Sequence, residues 1–359
     1  MKRRLVFFLI IMLVFSARKV SSLSLKEEWS KVEKVDDWDI SYSGNLLGII
    51  NPDFYCIYNQ KGEIFLKGKN MMSAKTVDIT DKNFMITTGT NYTTNYRLFN
   101  YQGDYIGRGP ASWYRNYLTH QGTFAVTEWG EAVYAFINPQ GYLQEADRIL
   151  MDPGFYYPYK SYKDSNIYHC YVSSDDRFLV TPINGIFENR DDQLIQVLPE
   201  STFPSNIESA VFINNGEYIM TKFWSDKEIL RLYDSNLELQ WEGDDLKGDI
   251  YSYPNGFILV QDNKLLFYNI EGELQHETRL TEKIEKIFSF DGKDFVLIQN
   301  EGKLIQMNFS GKILGQVELE PPFTLTSNGE GVYKYNALDE QDYFKELIPV
   351  KFIYYQIQY

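Results

Sequence analysis

The chain has 359 residues with a formal net charge of −14, 44% hydrophobic and 16% aromatic residues, two cysteines and three histidines. An acidic balance of this size argues against nucleic acid and against an anionic membrane surface, both of which are bound through lysine and arginine. Cys56 and Cys170 are too few for a disulfide framework, leaving one bridge or two separate buried thiols, and neither they nor the scattered His120, His169 and His276 have metal-ligand spacing.

The first 22 residues read as an export signal. Lys2, Arg3 and Arg4 precede eleven apolar residues from Leu5 to Phe15, followed by small and polar residues through Ser22. That run is too short for an ordinary transmembrane helix. Cleavage after Ser22 is expected, with an uncleaved N-terminal membrane anchor as the alternative because Arg18 and Lys19 lie just beyond the apolar run. Removing the segment takes five basic residues and no acidic ones, which brings the charge from −14 to −19. The product is an exported protein: periplasmic, cell-surface or secreted.

Residues 23–359 form one domain in this reading, because a single pattern runs through them. An apolar residue, Asn, two variable residues, Gly, a polar residue and an apolar residue recur at Tyr58–Ile64 and around Asn100, Asn138, Asn269 and Asn308, with degenerate copies at Asn189 and Asp234. The anchors are separated by 41, 38, 51, 45, 35 and 39 residues. That is the period of a four-stranded propeller blade. Asn or Asp opens each turn, glycine takes the positive-φ position, and strand alternation resumes on either side. Two further β-like runs precede each hairpin, such as Lys75–Thr80 and Phe84–Thr88, or Ser209–Ile213 and Tyr218–Phe223. The fold class is therefore all-β, a β-propeller of four-stranded blades. Eight blades are favoured and seven are the alternative. Leu25–Val32 is expected as an outer strand that pairs with the incomplete C-terminal blade and closes the ring.

The Asn-x-x-Gly hairpins resemble those of the NHL-like, quinoprotein-like and TolB-like propellers of exported bacterial proteins, and the stretch Asp104-Tyr105-Ile106-Gly107-Arg108-Gly109-Pro110 is similar to a strand end of bacterial six-bladed propellers. The repeated endings of WD40, kelch, sialidase-like and quinoprotein blades are absent. Neither a quinone nor any other cofactor is implied.

Function is expected on the connections between second and third strands and between blades, which share one face of a propeller. Two stretches stand out as blade-to-blade connections: Gly107–Arg115, with Arg108, Trp113, Tyr114 and Arg115, and Ala146–Asn166, with Phe155, Tyr156, Tyr157, Tyr159 and Tyr162. Tyrosine-rich loops offer contact area and a hydroxyl at little entropic cost; the same rings could equally pack a long loop onto its blade. Glu128-Trp129-Gly130 and Trp224-Ser225-Asp226 pair an indole with a carboxylate near the expected channel mouth, a combination that could stack on a sugar ring, although a tryptophan wedged between blades is the commoner arrangement. Asp53, Glu128, Asp226 and Asp262 are conceivable channel-facing acids, with a solvated turn residue as the preferred reading of each. No nucleophile elbow, phosphate loop or zinc signature is present, and His169 and Cys170, as neighbours in a strand, point to opposite faces. The reading is a module that binds a protein, peptide or glycan, with a glycan-active hydrolase or lyase as the alternative.

Overall fold

The computed structural model describes residues 23–359 except 42, 71–73, 75, 91–92, 111–114, 130, 137–146, 150–170, 182–184, 191–192, 225–226, 291, 301 and 339–347. Seven blades are each built from four consecutive antiparallel strands, spanning 37–69, 76–110, 115–149, 171–199, 207–244, 249–279 and 286–318. A further four-stranded sheet joins the two ends of the chain: Ser24–Val35 pairs along its length with Ile348–Gln358, which continues through Gly331–Ala337 to Phe323–Leu325. With the N-terminal strand as its outermost member, this sheet meets the first blade on one side and the seventh on the other. No described helix is long and apolar enough to cross a membrane.

The first strands of successive blades touch one another, which puts them at the axis. Fourth strands such as Ile64–Lys69, Leu239–Asp244 and Leu274–Arg279 alternate between exposed and half-buried residues at the periphery. Second and third strands are nearly continuous apolar runs, as in Gly256–Gln261 and Lys264–Asn269, because both of their faces are covered by neighbouring blades. The core therefore lies between blades. Ile258, Val260 and Phe267 of the sixth blade pack with Ile287, Val296 and Met307 of the seventh. Ile50, Ile57 and Leu46 of the first pack with Val77, Ile79 and Phe84 of the second. Each such side chain contributes about 1.5–3 kcal/mol on burial.

The hairpin between third and fourth strands is as expected at Asn59, Asn100, Asp234, Asn269 and Asn308. At Asn59, Oδ1 accepts the N–H groups of Lys61 and Glu63 at 2.9 and 3.0 Å, and Nδ2 donates to the Glu63 carboxylate at 3.0 Å. The same bonds recur at Asn100 with Asp104 and at Asn269 with Glu273. This explains the acidic residue that follows the turn glycine. Asn189 departs from the pattern: it lies inside the strand Gly185–Arg190, and Arg190 pairs with Gln193, so this blade closes with a shorter hairpin that needs no Asn anchor. Asn138 lies outside the described residues.

Candidate recognition face

A four-stranded meander places its first-to-second and third-to-fourth turns on one face of the ring, and its second-to-third and blade-to-blade connections on the other. The two faces differ in construction.

On the first face, the turns between first and second strands form a repeat of their own. Gly44, Gly122, Asp176 and Gly329 each donate a backbone N–H to the carbonyl three residues earlier, at Ser41, Thr119, Ser173 and Thr326. Neighbouring turns are tied together. Asp81 accepts from Ser41 Oγ at 3.0 Å and from Ser43 Oγ; Asn83 Nδ2 donates to Gly122 O at 3.2 Å. Asp176 Oδ2 accepts from Thr119 Oγ1, Gln121 N and Thr123 N at 2.5, 3.0 and 3.1 Å, and Ser174 Oγ bonds Asn215 at 2.7 Å. Next to this bonded carboxylate, burial lowers the pKa of His120 although Asp176 opposes the shift. The Tyr333 hydroxyl donates to Gly44 O at 3.0 Å across the ring closure. Further out, a fourth-strand side chain of one blade covers the hairpin glycine of the next: Trp29 over Gly62, Trp241 over Gly272 and His276 over Gly311. Trp29 also donates its indole N–H to Gln60 O at 2.6 Å.

At the axis, carboxylates cap strand edges. The N–H groups of Val77 and Ile79 point away from the second strand of their blade, and a first strand has no other strand on that side. Asp37 Oδ2 accepts from Val77 N at 3.1 Å and Asp39 Oδ2 from Ile79 N at 2.8 Å, while Asp78 Oδ1 accepts from Leu118 N at 3.0 Å. All three bonds span 40 residues, one repeat. Gly48, paired with Asp39, permits the close approach, because a Cβ there would lie 2.6 Å from Ile79 Cγ2. Burial raises the pKa of Asp37 to about 6 and that of Asp39 to about 7, in each case against the lowering effect of its backbone hydrogen bonds. Sequence reasoning missed these acids. Their signal was the stretch Trp38-Asp39-Ile40 repeated as Val77-Asp78-Ile79. Of the other acids considered for the channel, Asp53 is an exposed turn residue, and Asp262, at φ 54°, occupies an exposed tight turn between strands, in line with the preferred solvated-turn reading of both. A short polar turn is better satisfied by water than by the axis.

On the second face, Trp224 directly follows the second strand of the fifth blade and is 50% exposed. Its backbone N–H donates to Asn206 O at 2.9 Å, and Lys222, two residues earlier, is buried between Glu208 and Glu228 at 3.2 and 3.1 Å. Glu228 also accepts from Gly248 N at 3.2 Å, which links the loop to the next blade. In the third blade, Arg115 begins the innermost strand and pairs in register with Glu128, beside Trp129 at the same end of the sheet. Arg115 and Glu128 are thus brought together at the axial end of this face.

Arg108 is not part of that group. Tyr105–Pro110 is the outermost strand of the second blade, in which Arg108 pairs with Arg97, so the connection expected from Gly107 narrows to 111–114. Pro110 is tolerated there because an edge strand leaves its missing N–H without a partner to lose. Similarly, Asp147–Ile149 is the outermost strand of the third blade, so the long tyrosine-rich connection starts after Ile149 rather than at Ala146. Trp113, Tyr114, Tyr156, Tyr157, Tyr159 and Asp226 lie outside the described residues, as does Cys170. Cys56 is a free, buried thiol whose pKa is raised by burial. Among the described residues, no cluster of three or more His, Cys, Asp or Glu has metal-binding geometry.

This architecture is a β-propeller. BamB from Moraxella catarrhalis superimposes with a TM-score of 0.57 at 13% identity, over 92% of this chain and 99% of that one. The dihydro-heme d1 dehydrogenase NirN matches with a TM-score of 0.49 at 12% identity, over 84% of this chain and 74% of that one. Kluyveromyces lactis Hsv2 matches with 0.46 at 11% identity, over 81% of this chain and all of that one. The likeness to BamB is one of fold. No protein-family model matches the chain, and no curated protein matches its sequence.

Proposed function

We propose that the chain is an exported binding or scaffold module that recognises a protein, peptide or glycan through its second-to-third-strand and blade-to-blade connections. In this reading the closing sheet counts as an eighth blade, and residues 1–22 direct or anchor the protein outside the cytoplasm. The observation that carries the proposal is the half-exposed Trp224, two residues after the buried Lys222 with its Glu208 and Glu228 ion pairs, on the face whose connections differ from blade to blade. A large, half-exposed aromatic ring with few rotatable bonds loses little entropy on contact. Tyr156, Tyr157 and Tyr159 are proposed to supply further contact area, and the backbone register pairs Arg115 with Glu128 at the axial end of the face.

Affinity capture from the native cell envelope, with the chain from Leu23 as bait, tests this reading. A ligand retained by the wild type and lost by both Trp224→Ala and the Tyr156→Ala/Tyr157→Ala double variant supports it. Retention that is unchanged in all three removes this face from recognition.

A further inference from the structure

The seam between the seventh blade and the closing sheet is tight at one end and open at the other. At the tight end, a Cβ on Gly315 would lie 2.7 Å from Leu23 N and 2.9 Å from Leu23 Cβ. Two residues further along the same strand, Val317 borders a groove of about 550 Å³ that is also lined by Leu25, Leu319, Lys334 and Tyr355. Strand lengths explain the opening. The outermost strand of the seventh blade, Ile313–Glu318, has six residues, whereas Ser24–Val35 and Ile348–Gln358 have 12 and 11, so the closing sheet outruns its neighbour. A space of this volume suits a small organic ligand.

The charge directed into the groove is positive. Val332, two residues before Lys334, is buried in the seam, so strand alternation turns Lys334 to the same side. Glu318 and Glu320 border the groove, but their side chains are directed elsewhere. Glu318 alternates with Val317 and stands in register with Lys303, while Glu320 lies over Gly302, where a Cβ would be 3.7 Å from its Cγ.

Two more lysines share this side of the closing sheet. Lys351 precedes Phe352, which packs toward the first blade, and Lys34 lies between Glu33 and Val35, which do the same. Alternation therefore puts both lysines on the opposite side, with Lys334. Val32, in register with Lys351 and 56% exposed, extends the apolar surface beyond the groove. Glu27, in register with Tyr355, is an exposed acid on the same side. Among the described residues, none of Lys34, Lys334 and Lys351 is in an ion pair. On a chain of net charge −14, most of the surface repels anions and this sector attracts them.

We infer that this groove is a second binding site, away from the Trp224 sector, for a small organic anion: a carboxylate held by Lys334 on an apolar body that packs against Leu25, Val317, Leu319 and Tyr355.

Each part of such a ligand has a counterpart. Lys334 offers a charge-assisted hydrogen bond, which is stronger in a partly dry groove than on open surface. Because it is not engaged in an ion pair, the carboxylate displaces water rather than an internal partner. Lys351 and Lys34 raise the positive potential around the entrance and so favour the approach of an anion. The apolar walls reward a hydrophobic body and give a purely polar anion such as acetate little to hold.

Isothermal titration calorimetry of the chain from Leu23, which contains the whole propeller, tests the site with three probes of one shape: phenylpropionate, phenylpropanol and phenylpropylammonium. Phenylpropionate is expected to bind one to one, at least tenfold more tightly than the alcohol, and the ammonium compound not at all. Lys334→Gln should erase the preference for the acid and leave the affinity for the alcohol unchanged. Val317→Trp, which fills the groove, should abolish binding of both. Equal affinities for acid and alcohol, no binding of the acid at millimolar concentration, or an acid affinity unchanged in Lys334→Gln overturns the inference. Should Val317→Trp not fold, the three probes with the wild type and Lys334→Gln decide the matter, since Lys334 is only half-buried and has no ion pair to lose.

Discussion

The two faces of the ring use the same strands and the same period but solve different problems. On the face of first-to-second and third-to-fourth turns, side chains bond within their own turn or to the next blade, as Asp176 Oδ2 does with its three donors. Opposite it, the fully described connections differ in length, with two residues at Asp262–Asn263 and seven at 200–206. Trp224 emerges there half-exposed. Uniform turns make a ring rigid and interchangeable around its circumference. Varied loops on a rigid frame make one sector unlike the others, which recognition requires.

If the turn face owes its rigidity to contacts between blades, its glycines should differ in sensitivity according to what covers them. Gly272 and Gly103 occupy the same turn position at φ 75° and 85°. Yet a Cβ on Gly272 would meet the Trp241 indole at 2.0 Å, and one on Gly103 would meet nothing within 4 Å. Gly272→Ala is expected to cost about 3 kcal/mol, from backbone strain together with overpacking. Gly103→Ala should cost about 1 kcal/mol, from the positive φ alone. Urea denaturation compares them; equal losses would mean that the covering side chains add no rigidity.

A middle-sized effect concerns the axis between the two faces. Because burial raises the pKa values of Asp37 and Asp39, this pair's contribution to stability should be fully present below about pH 4 and fall by on the order of 2 kcal/mol as pH rises to 8. Asp39→Asn should abolish much of that loss while still accepting the Ile79 N–H. Thermal unfolding across this pH range reads the slope, and a steeper slope in the variant would contradict the assignment.

The smallest effect belongs to the loop face. Trp224→Ala should change stability by no more than about 0.5 kcal/mol, since half of the side chain is already in water. A fall of several degrees in Tm would make the ring a packing residue.

The sequence carried the repeat well, because a four-stranded meander must turn at fixed intervals and Asn with Gly is the cheapest chemistry for the tightest of those turns. It also pointed to the closure, since Leu25–Val32 is a strand with no hairpin partner of its own, and the structure pairs it within Ser24–Val35 against the C-terminal strand. Less visible was the second set of turns at Ser41, Thr119, Ser173 and Thr326, where the opening residue is a hydroxyl and the residue at positive φ is once an aspartate, Asp176. The inner carboxylates were hidden for another reason. Their partners are backbone groups one repeat away, so the only mark they leave is the short apolar-Asp-Ile stretch at Trp38–Ile40 and Val77–Ile79. Strand ends were misjudged where Gly and Pro suggested loops, at Gly107 and Arg108 and at Ala146, because an edge strand tolerates residues that a central strand does not. Of the eleven candidate site residues, the structure pairs Arg115 with Glu128 in register and sets Arg108 apart on an outer strand.

The measurement that separates the two faces most directly is site-specific photo-crosslinking in the native envelope. A photoreactive residue is placed either at Trp224 on the loop face or at Leu274, which is equally exposed on the turn face. Recognition through the loop face predicts a discrete crosslinked species from position 224 and none from position 274. The reverse pattern would contradict the account.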